Sequence, residues 1–423
     1  ISPFPFWQIP KTPQQYYYQE VSNMNNIRKL TDSLFWVGVN DRRIALFENV
    51  YPVPTGMSYN SYVLLDEKTA LFDTVDASFT HDFLENVTAA LKGRTLDYLI
   101  VNHMEPDHCA SIADVIAAYP EAKIVCTAKA VGMMKQFFDF DMDSRAIPVK
   151  EGDTVSLGSH EITFVMAPMV HWPEVMVTYE KTEKILFSAD AFGSFGAVDG
   201  NIFADEIDDK GAWLSEARRY YTNIVGKFGM SVQGLLKKAA GLEIRMICPL
   251  HSVIWREDLP WLIDKYLKWS SYTPEEKSVT IAYGSVYGHT EKAADILAGK
   301  LADRGIRHIS VFDVSKTHPS YIIADAFRTS AMVFASITYN GGIFCNMDTL
   351  LHQLAAHGLT NRTAALIQNG TWAATTSKQM GEILGTMKNI HVLEADVTIK
   401  SALKNDQEAE LDALADAIAA SLQ

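Results

Sequence analysis

Two imidazoles and two carboxylates fall within six positions at His103-Met104-Glu105-Pro106-Asp107-His108. The apolar run Leu99-Ile100-Val101 stands directly before them, so the cluster sits where a strand runs out. Nitrogen and oxygen donors at that density are suited to hold a metal. Three further candidates share the placement: His171 follows Phe164-Val165-Met166, Asp190 follows Ile185-Leu186-Phe187, and His251 follows Met246-Ile247-Cys248. A single His or Asp after a strand is ordinarily a cap or a satisfied surface group. Four donors in six residues are not explained that way. The full set is four imidazoles and three carboxylates. Two metals sharing one bridging carboxylate, for which Asp190 is our choice, use all seven and leave open positions for a small molecule. Glu105 makes the set harder and more anionic than zinc prefers, which suits iron cycling between ferrous and ferric. Cys109 is a competing donor beside His108, but a small buried residue is its simpler account.

A second segment could bind a phosphate. The apolar run Val279–Tyr283 leads into Gly284-Ser285-Val286-Tyr287-Gly288-His289-Thr290-Glu291, a strand, loop and helix start. Backbone N–H groups and the hydroxyls of Ser285 and Thr290 can face a phosphate, Gly288 permits close approach, and the helix N-terminus adds positive potential. No Lys stands in the loop, unlike a nucleoside-triphosphate loop, so a monophosphate such as that of FMN fits better than ATP. Ser336-Ile337-Thr338-Tyr339-Asn340-Gly341 and Asn369-Gly370-Thr371-Trp372 follow two later strands of the same region. In a doubly wound sheet the ligand lies beyond such strand ends. These two loops, with Ser285, Val286, Tyr287, Gly288, His289 and Thr290, are the candidate FMN contacts. Tyr339 and Trp372 either flank the isoalloxazine ring or are ordinary packed aromatics.

The elements that must position these groups fall into two patterns. From about Ile27 to Tyr272, short apolar runs interleave with helical stretches such as His81–Lys92 and Ala110–Ala118, which suggests sheets covered by helices. Around 273–277 the chain turns polar and Pro-containing, and we place a linker there. Beyond it, strands Val279–Tyr283, His308–Phe312, Ala331–Ala335, Thr363–Ile367 and His391–Leu393 alternate with helices Glu291–Arg304, Pro319–Arg328, Thr349–Ala356, Lys378–Met387 and Glu408–Ser421. That alternation predicts a doubly wound parallel sheet of five strands. Residues 1–23 are rich in aromatics, Pro and Gln and carry neither period. They read as an N-terminal extension foreign to the fold, with Met24 as the natural start.

Composition bounds the rest. A hydrophobic share of 48% and a charged share of 21% are those of a globular protein. A formal charge of −14 argues against nucleic acid or an anionic membrane as main partner. No apolar stretch reaches the roughly 18 residues of a membrane span, and no signal peptide is evident. Cys109, Cys126, Cys248 and Cys345 are widely spaced, with no C-x-x-C pair, so we expect a reducing cytoplasm and no Cys-ligated iron of the rubredoxin type within these residues.

The pattern H-x-E-x-D-H at 103–108, continued by His171, Asp190 and His251, resembles the metallo-β-lactamase-like domain of flavodiiron proteins. Hydrolases of that superfamily carry H-x-H-x-D-H; Glu105 in place of the second His marks the iron-binding branch. The resemblance spans Ile27 to Gln423. It implies an α/β chain with an αββα metallo-β-lactamase-like domain at 24–272, a linker at 273–277 and a flavodoxin-like FMN domain at 278–423. It also implies that His103, Glu105, His171 and Asp190 hold one iron, and Asp107, His108, Asp190 and His251 the other. In some members the His matching His108 lies off the metal. The flavin loops depart from the commoner pattern: Ile337 stands for Pro, Ala335 for Gly, and Asn369-Gly370-Thr371-Trp372 for Ser-Tyr-Gly-Trp. The activity implied is four-electron reduction of dioxygen to water, or two-electron reduction of nitric oxide to nitrous oxide, with FMN passing electrons to the irons. The electrons come from rubredoxin or another reduced carrier. A head-to-tail homodimer, or a dimer of such dimers, brings each FMN to the partner's irons. Two other readings are weighed: a metal-dependent hydrolase joined to a flavodoxin-like domain, and an electron carrier whose metal domain is structural. Tyr59, Trp172, Phe192 and Phe195 are either pocket walls or core.

Overall fold

The structure, a computed structural model, describes residues 24–423; the expectation for residues 1–23 lies outside the described residues. Its first half is built on two facing sheets. One runs in the order Arg28–Lys29, Leu34–Trp36, Tyr62–Leu65, Thr69–Phe72, Tyr98–Ile100, Lys123–Thr127, Ala146–Val149. The other runs Thr154–Ser156, Glu161–Met166, Met176–Glu180, Ile185–Phe187, Met246–Cys248. Side chains alternate along each strand, and that alternation sets the layers. Leu34, Trp36, Tyr62, Leu64 and Phe72 meet Ile162, Phe164, Met176 and Phe187 between the sheets. Phe35, Val63 and Leu71 turn the other way and pack with Phe83 and Val87 of helix Thr80–Leu91 and Val115 of helix Ile112–Ala118. Phe72 stacks on Phe187 at 3.8 Å across the middle layer. Each such ring, fully buried, contributes about 1.5–3 kcal/mol. The result is the expected αββα sandwich.

Strand direction then decides where the chemistry collects. Thr69–Phe72, Tyr98–Ile100 and Lys123–Thr127 are parallel neighbours, so their successors leave from one rim. Ile185–Phe187 and Met246–Cys248 are also parallel, with Phe187 opposite Cys248. Asp190 and His251 each lie three residues past that matched pair and emerge side by side.

The second half is a parallel sheet in the order Ser310–Asp313, Glu276–Gly284, Thr329–Tyr339, Arg362–Asn369, Ile390–Ile399. Helices His289–Asp303 and Glu408–Ser421 cover one face, and Pro319–Arg328, Cys345–Ala356 and Thr376–Leu384 the other. The order reverses between Glu276–Gly284 and Thr329–Tyr339, which is where a doubly wound sheet binds its ligand. A sixth, two-residue strand, Gly342–Ile343, joins the expected five by folding back antiparallel on Thr338–Tyr339. Asn340 at φ 50° and Gly341 at φ 78° make that turn, the Asn-Gly hairpin signature.

The polar stretch at 273–277 is clamped between the halves. Buried Glu275 accepts from Trp269 Nε1 at 2.7 Å and Lys265 Nζ at 2.9 Å, and pairs with the Arg218 guanidinium. Burial works to raise this carboxyl, but Arg218, Trp269 and Lys265 hold it at about 2. Its backbone N–H donates to Arg328 O at 2.8 Å. Arg362 donates to the carbonyls of Tyr272, Ala326 and Phe327 at 2.7, 2.9 and 2.6 Å. No helix among the described residues is long and apolar enough to cross a membrane.

Candidate functional site

The rim of the sandwich gathers the seven side chains singled out above into two adjoining groups: His103, Glu105, His171 and Asp190, beside Asp107, His108 and His251. Asp190 faces both. Its Oδ2 is 3.3 Å from His103 Nε2 and 3.1 Å from His171 Nε2. Its Oδ1 is 3.3 Å from His108 Nε2 and 3.7 Å from His251 Nε2. Glu105 Oε2 lies 3.2 Å from His103 Nε2 and 2.9 Å from His171 Nε2. Asp107 Oδ2 lies 3.2 Å from His108 Nε2 and 3.3 Å from His251 Nε2. Donors on one ion with bonds of roughly 2.0–2.2 Å are spaced roughly 2.9–3.6 Å, so these separations fit a pair of cations.

Two further observations favour metal. His108 Nε2 and His251 Nε2 approach to 2.9 Å, a distance at which two lone pairs repel unless something positive lies between them. Both Asp107 oxygens and Asp190 Oδ1 are buried without a hydrogen-bond partner. Buried anionic oxygens of that kind are costly unless paired or on a metal. In the protein alone, protons take the cations' part. Burial works to lower His108 and His171, yet Asp107 and Asp190 push His108 up to about 10, and Asp190 and Glu105 push His171 up to about 9. Burial works to raise Glu105, but bonds with His103 and His171 hold it at about 2. Asp190 is held well below the carboxylate range against its burial, chiefly by His103.

Residues that the sequence reading did not single out orient the imidazoles. Glu174, wholly buried, receives the Nδ1 proton of His103 at 2.9 Å and the Met104 N–H at 2.9 Å. The Ser58 carbonyl receives the Nδ1 proton of His251 at 2.7 Å. Buried Asp73 accepts the Asn102 and His103 N–H groups at 2.7 and 3.2 Å, fixing the strand exit. Glu174 lies three residues after His171, and nothing in its spacing alone separates it from a surface carboxylate.

Of the four aromatics in question, Tyr59 edges His251 at 5.9 Å and His108 at 6.4 Å, and Trp172 edges His103 at 5.4 Å. Phe192 packs on Tyr266 and belongs to the core. Phe195 stands one ring back, against Phe47 and Tyr220, which themselves lie 5.6 and 5.4 Å from His251. The Tyr220 hydroxyl is buried without a partner. Burial, then Asp190, Asp107 and Glu105, raise it well above the usual phenol range, so it stays protonated. At the exposed tip of hairpin Leu46–Phe47/Tyr51–Pro52, crowding around the Glu48 carboxyl and its neighbour Glu105 raise it above the ordinary carboxylate range.

The candidate flavin loops gather at the C-terminal ends of the parallel strands. Gly288, at φ 85°, turns the chain into the helix that begins at His289, and its N–H donates to Ser285 Oγ at 3.1 Å. At Gly284 a Cβ would meet the Phe344 ring at 2.6 Å, so the strand exit passes close only as glycine. Thr290 is buried, and Asn369 Nδ2 donates to its Oγ1 at 3.3 Å while Asn369 Oδ1 has no partner. Ser336 Oγ accepts the Phe344 N–H at 3.2 Å, and Thr338 Oγ1 the Thr375 N–H at 3.2 Å. Val286, Tyr339, Tyr287 and Trp372 are exposed, the last two at 87% and 94%. Among the described residues, no hydrogen bond or ion pair joins residues 285–290, 336–341 or 369–372 to residues 24–272. A third group, His160, Glu180 and Glu183, is accounted for without a metal: Glu180 accepts the Thr182 and Glu183 N–H groups at 2.7 and 2.6 Å and pairs with His160.

Comparison with known proteins agrees with this geometry. The family model described as ODP family beta lactamase matches residues 57–252. The chain is 30% identical over 347 residues to an anaerobic nitric oxide reductase flavorubredoxin of Aeromonas hydrophila, covering 81% of this chain and 69% of that protein. It is 29% identical over 383 residues to a protein of the same name from Escherichia coli, covering 89% and 78%. Among solved structures, it superposes on rubredoxin oxygen:oxidoreductase from Desulfovibrio gigas with TM-score 0.86 and 28% identity, covering 94% of this chain and 98% of that one. The flavodiiron protein from Giardia intestinalis gives TM-score 0.88 and 25% identity over 95% and 98%.

Proposed function

The chain is an oxidoreductase of the flavodiiron protein family, and from that premise we propose that it reduces dioxygen to water or nitric oxide to nitrous oxide at a di-iron centre fed by FMN. The observation that carries the reading is Asp190, whose two oxygens face two separate groups of imidazoles. His103, Glu105, His171 and Asp190 would hold one iron; Asp107, His108, His251 and Asp190 the other. When bound, iron and FMN supply electrons and open coordination positions for the gas molecule.

The chain's own groups do the rest. Glu174 and the Ser58 carbonyl hold the Nδ1 protons of His103 and His251, which leaves each Nε2 free to bind. Tyr220, protonated and otherwise unpartnered, offers a hydrogen bond to a molecule seated among the carboxylates. Tyr59, Phe47 and Trp172 exclude water from the imidazoles. In the other half, the 285–290 turn would hold the flavin phosphate, and the exposed Tyr287, Tyr339 and Trp372 would be available to the isoalloxazine.

We divide the chain into a metal-binding domain at 24–272 and an FMN domain at 278–423. A head-to-tail homodimer, alone or doubled, as the resemblance implies, would let each flavin serve its partner's irons; among the described residues the flavin loops make no hydrogen bond or ion pair with residues 24–272. Rubredoxin or another reduced carrier is the donor, in keeping with the name of the Desulfovibrio gigas relative. Four unpaired cysteines suit a cytoplasmic setting. The test is metal and flavin analysis beside steady-state gas consumption: Asp190→Asn is expected to lose iron and turnover while keeping FMN. Full turnover in the iron-depleted variant would defeat the reading.

A further inference from the structure

Among the described residues, Arg219 is the most fully buried cation outside the metal site, 1% exposed at the end of helix Lys210–Tyr220. A guanidinium in that setting must spend its donors well. Its Nε and Nη2 pair with Glu216 Oε2 at 3.1 and 2.6 Å. Nη2 also donates to the Pro52 carbonyl at 2.9 Å, and Nη1 to Ser320 Oγ at 3.2 Å. Its Cζ lies 4.3 Å from the ring centroids of both Phe195 and Tyr321.

These partners belong to three different places. Pro52 ends the hairpin that carries Phe47 and Glu48 over the metal ligands. Phe195 backs Phe47 and Tyr220, two of the rings that edge His251. Ser320 and Tyr321 open the helix Pro319–Arg328 of the parallel-sheet half. The helix bearing Arg219 passes next into the π-turn Tyr221–Val225, where Asn223 donates to the Ser320 carbonyl at 3.2 Å and the Tyr51 hydroxyl donates to the Asn223 carbonyl at 3.2 Å. A second strap therefore runs along the same line.

We propose that Arg219 is a positioning residue that makes the wall and covering hairpin of the metal site depend on the docking of the parallel-sheet half. It touches neither metal ligand nor flavin loop and acts through Phe195 and Pro52. Lysine keeps the charge but lacks the planar fork that reaches three acceptors at once. The link to turnover rests on the proposed reductase reading; the link to hairpin order does not.

The experiment combines hydrogen exchange with kinetics on the full chain loaded with iron and flavin. The hairpin is reported by the Val50 and Val53 amides, which donate to Phe47 O and Ala45 O. Arg219→Lys and, separately, Tyr321→Leu are expected to speed their exchange about tenfold or more, while the strand Lys123–Thr127 and the iron and flavin contents stay unchanged. Arg219→Lys is expected to raise the KM for the oxidant about tenfold with kcat within about twofold. Phe195→Leu added to Arg219→Lys is expected to do little more than either alone. Unchanged hairpin exchange in either variant, or additive effects of Arg219→Lys and Phe195→Leu, overturns the proposal. A wild-type protein that turns over neither gas defeats the reductase reading and leaves the exchange result standing.

Discussion

Each oxygen of Asp190 faces a different group of imidazoles, whereas Glu105 and Asp107 each serve one. That asymmetry was legible in the sequence as a lone carboxylate from a different strand than the 103–108 cluster. Glu174 was not, because its partner, the Nδ1 proton of His103, is defined only once the chain has folded. A carboxylate on that proton sets ring orientation and ligand basicity. Glu174→Ala is therefore expected to weaken metal binding roughly 10–100-fold, read by competition with a chromophoric chelator; unchanged affinity would remove it from the site. The same residues make metal uptake depend on pH. His171 at about 9 and His108 at about 10 are protonated near neutrality in the metal-free chain, and each must lose its proton to bind. Affinity is expected to climb as pH rises toward those values; His103 is likewise held well above the usual imidazole range, against its burial, by Asp190, Glu105 and Glu174, so about three protons are released as both sites fill. Calorimetry in buffers of different ionisation enthalpy checks it, and uptake without proton release would contradict it.

At the scale of elements, the clamp on Glu275 holds the parallel sheet against the sandwich. Glu275→Gln leaves Arg218 and Lys265 facing a neutral amide and is expected to cost about 3 kcal/mol, measured by chemical denaturation. The pH dependence has a definite sign. The folded carboxyl lies at about 2, below its ordinary range, so its stabilisation is complete above that range and is lost as pH falls through it toward 2. The Gln variant should lack that part of the acid transition. The sequence marked this stretch as a polar linker and missed the enclosure of the Glu275 side chain, since its partners Arg218, Lys265 and Trp269 lie on helices the reading did not separate. The parallel sheet was the easier half to read: Ala331–Ala335 is apolar on both faces, Val279–Tyr283 is so but for Thr280, and turns follow both. Its edges were less legible. The last strand runs Ile390–Ile399, well past the expected Leu393, because its alternating exposed residues hide it. In the sandwich, two-residue strands such as Leu46–Phe47 and Tyr51–Pro52 are too short to show a period, yet the hairpin they build covers the metal ligands.

For the whole molecule, the proposed head-to-tail homodimer would make the partner chain part of the site. Mixing a metal-deficient chain, Asp190→Asn, with a flavin-deficient one, Gly370→Val, tests this directly; a Cβ at Gly370 would meet the Ala373 carbonyl at 1.9 Å and close that loop. Random reassociation into head-to-tail pairs restores about a quarter of wild-type activity, while sites complete within one chain restore none. The central claim is that electrons entering the flavin leave through the paired metals to a gas molecule. Its most direct test is anaerobic reduction of protein of known iron and FMN content, followed by stopped-flow reoxidation with dissolved oxygen and with nitric oxide, wild type beside Asp190→Asn. The account expects fast reoxidation of the wild-type flavin by at least one of the two gases, without hydrogen peroxide, and a loss of about a thousandfold or more in the variant while FMN stays bound. Equal reoxidation of both proteins, or a wild type inert to both gases, would contradict it.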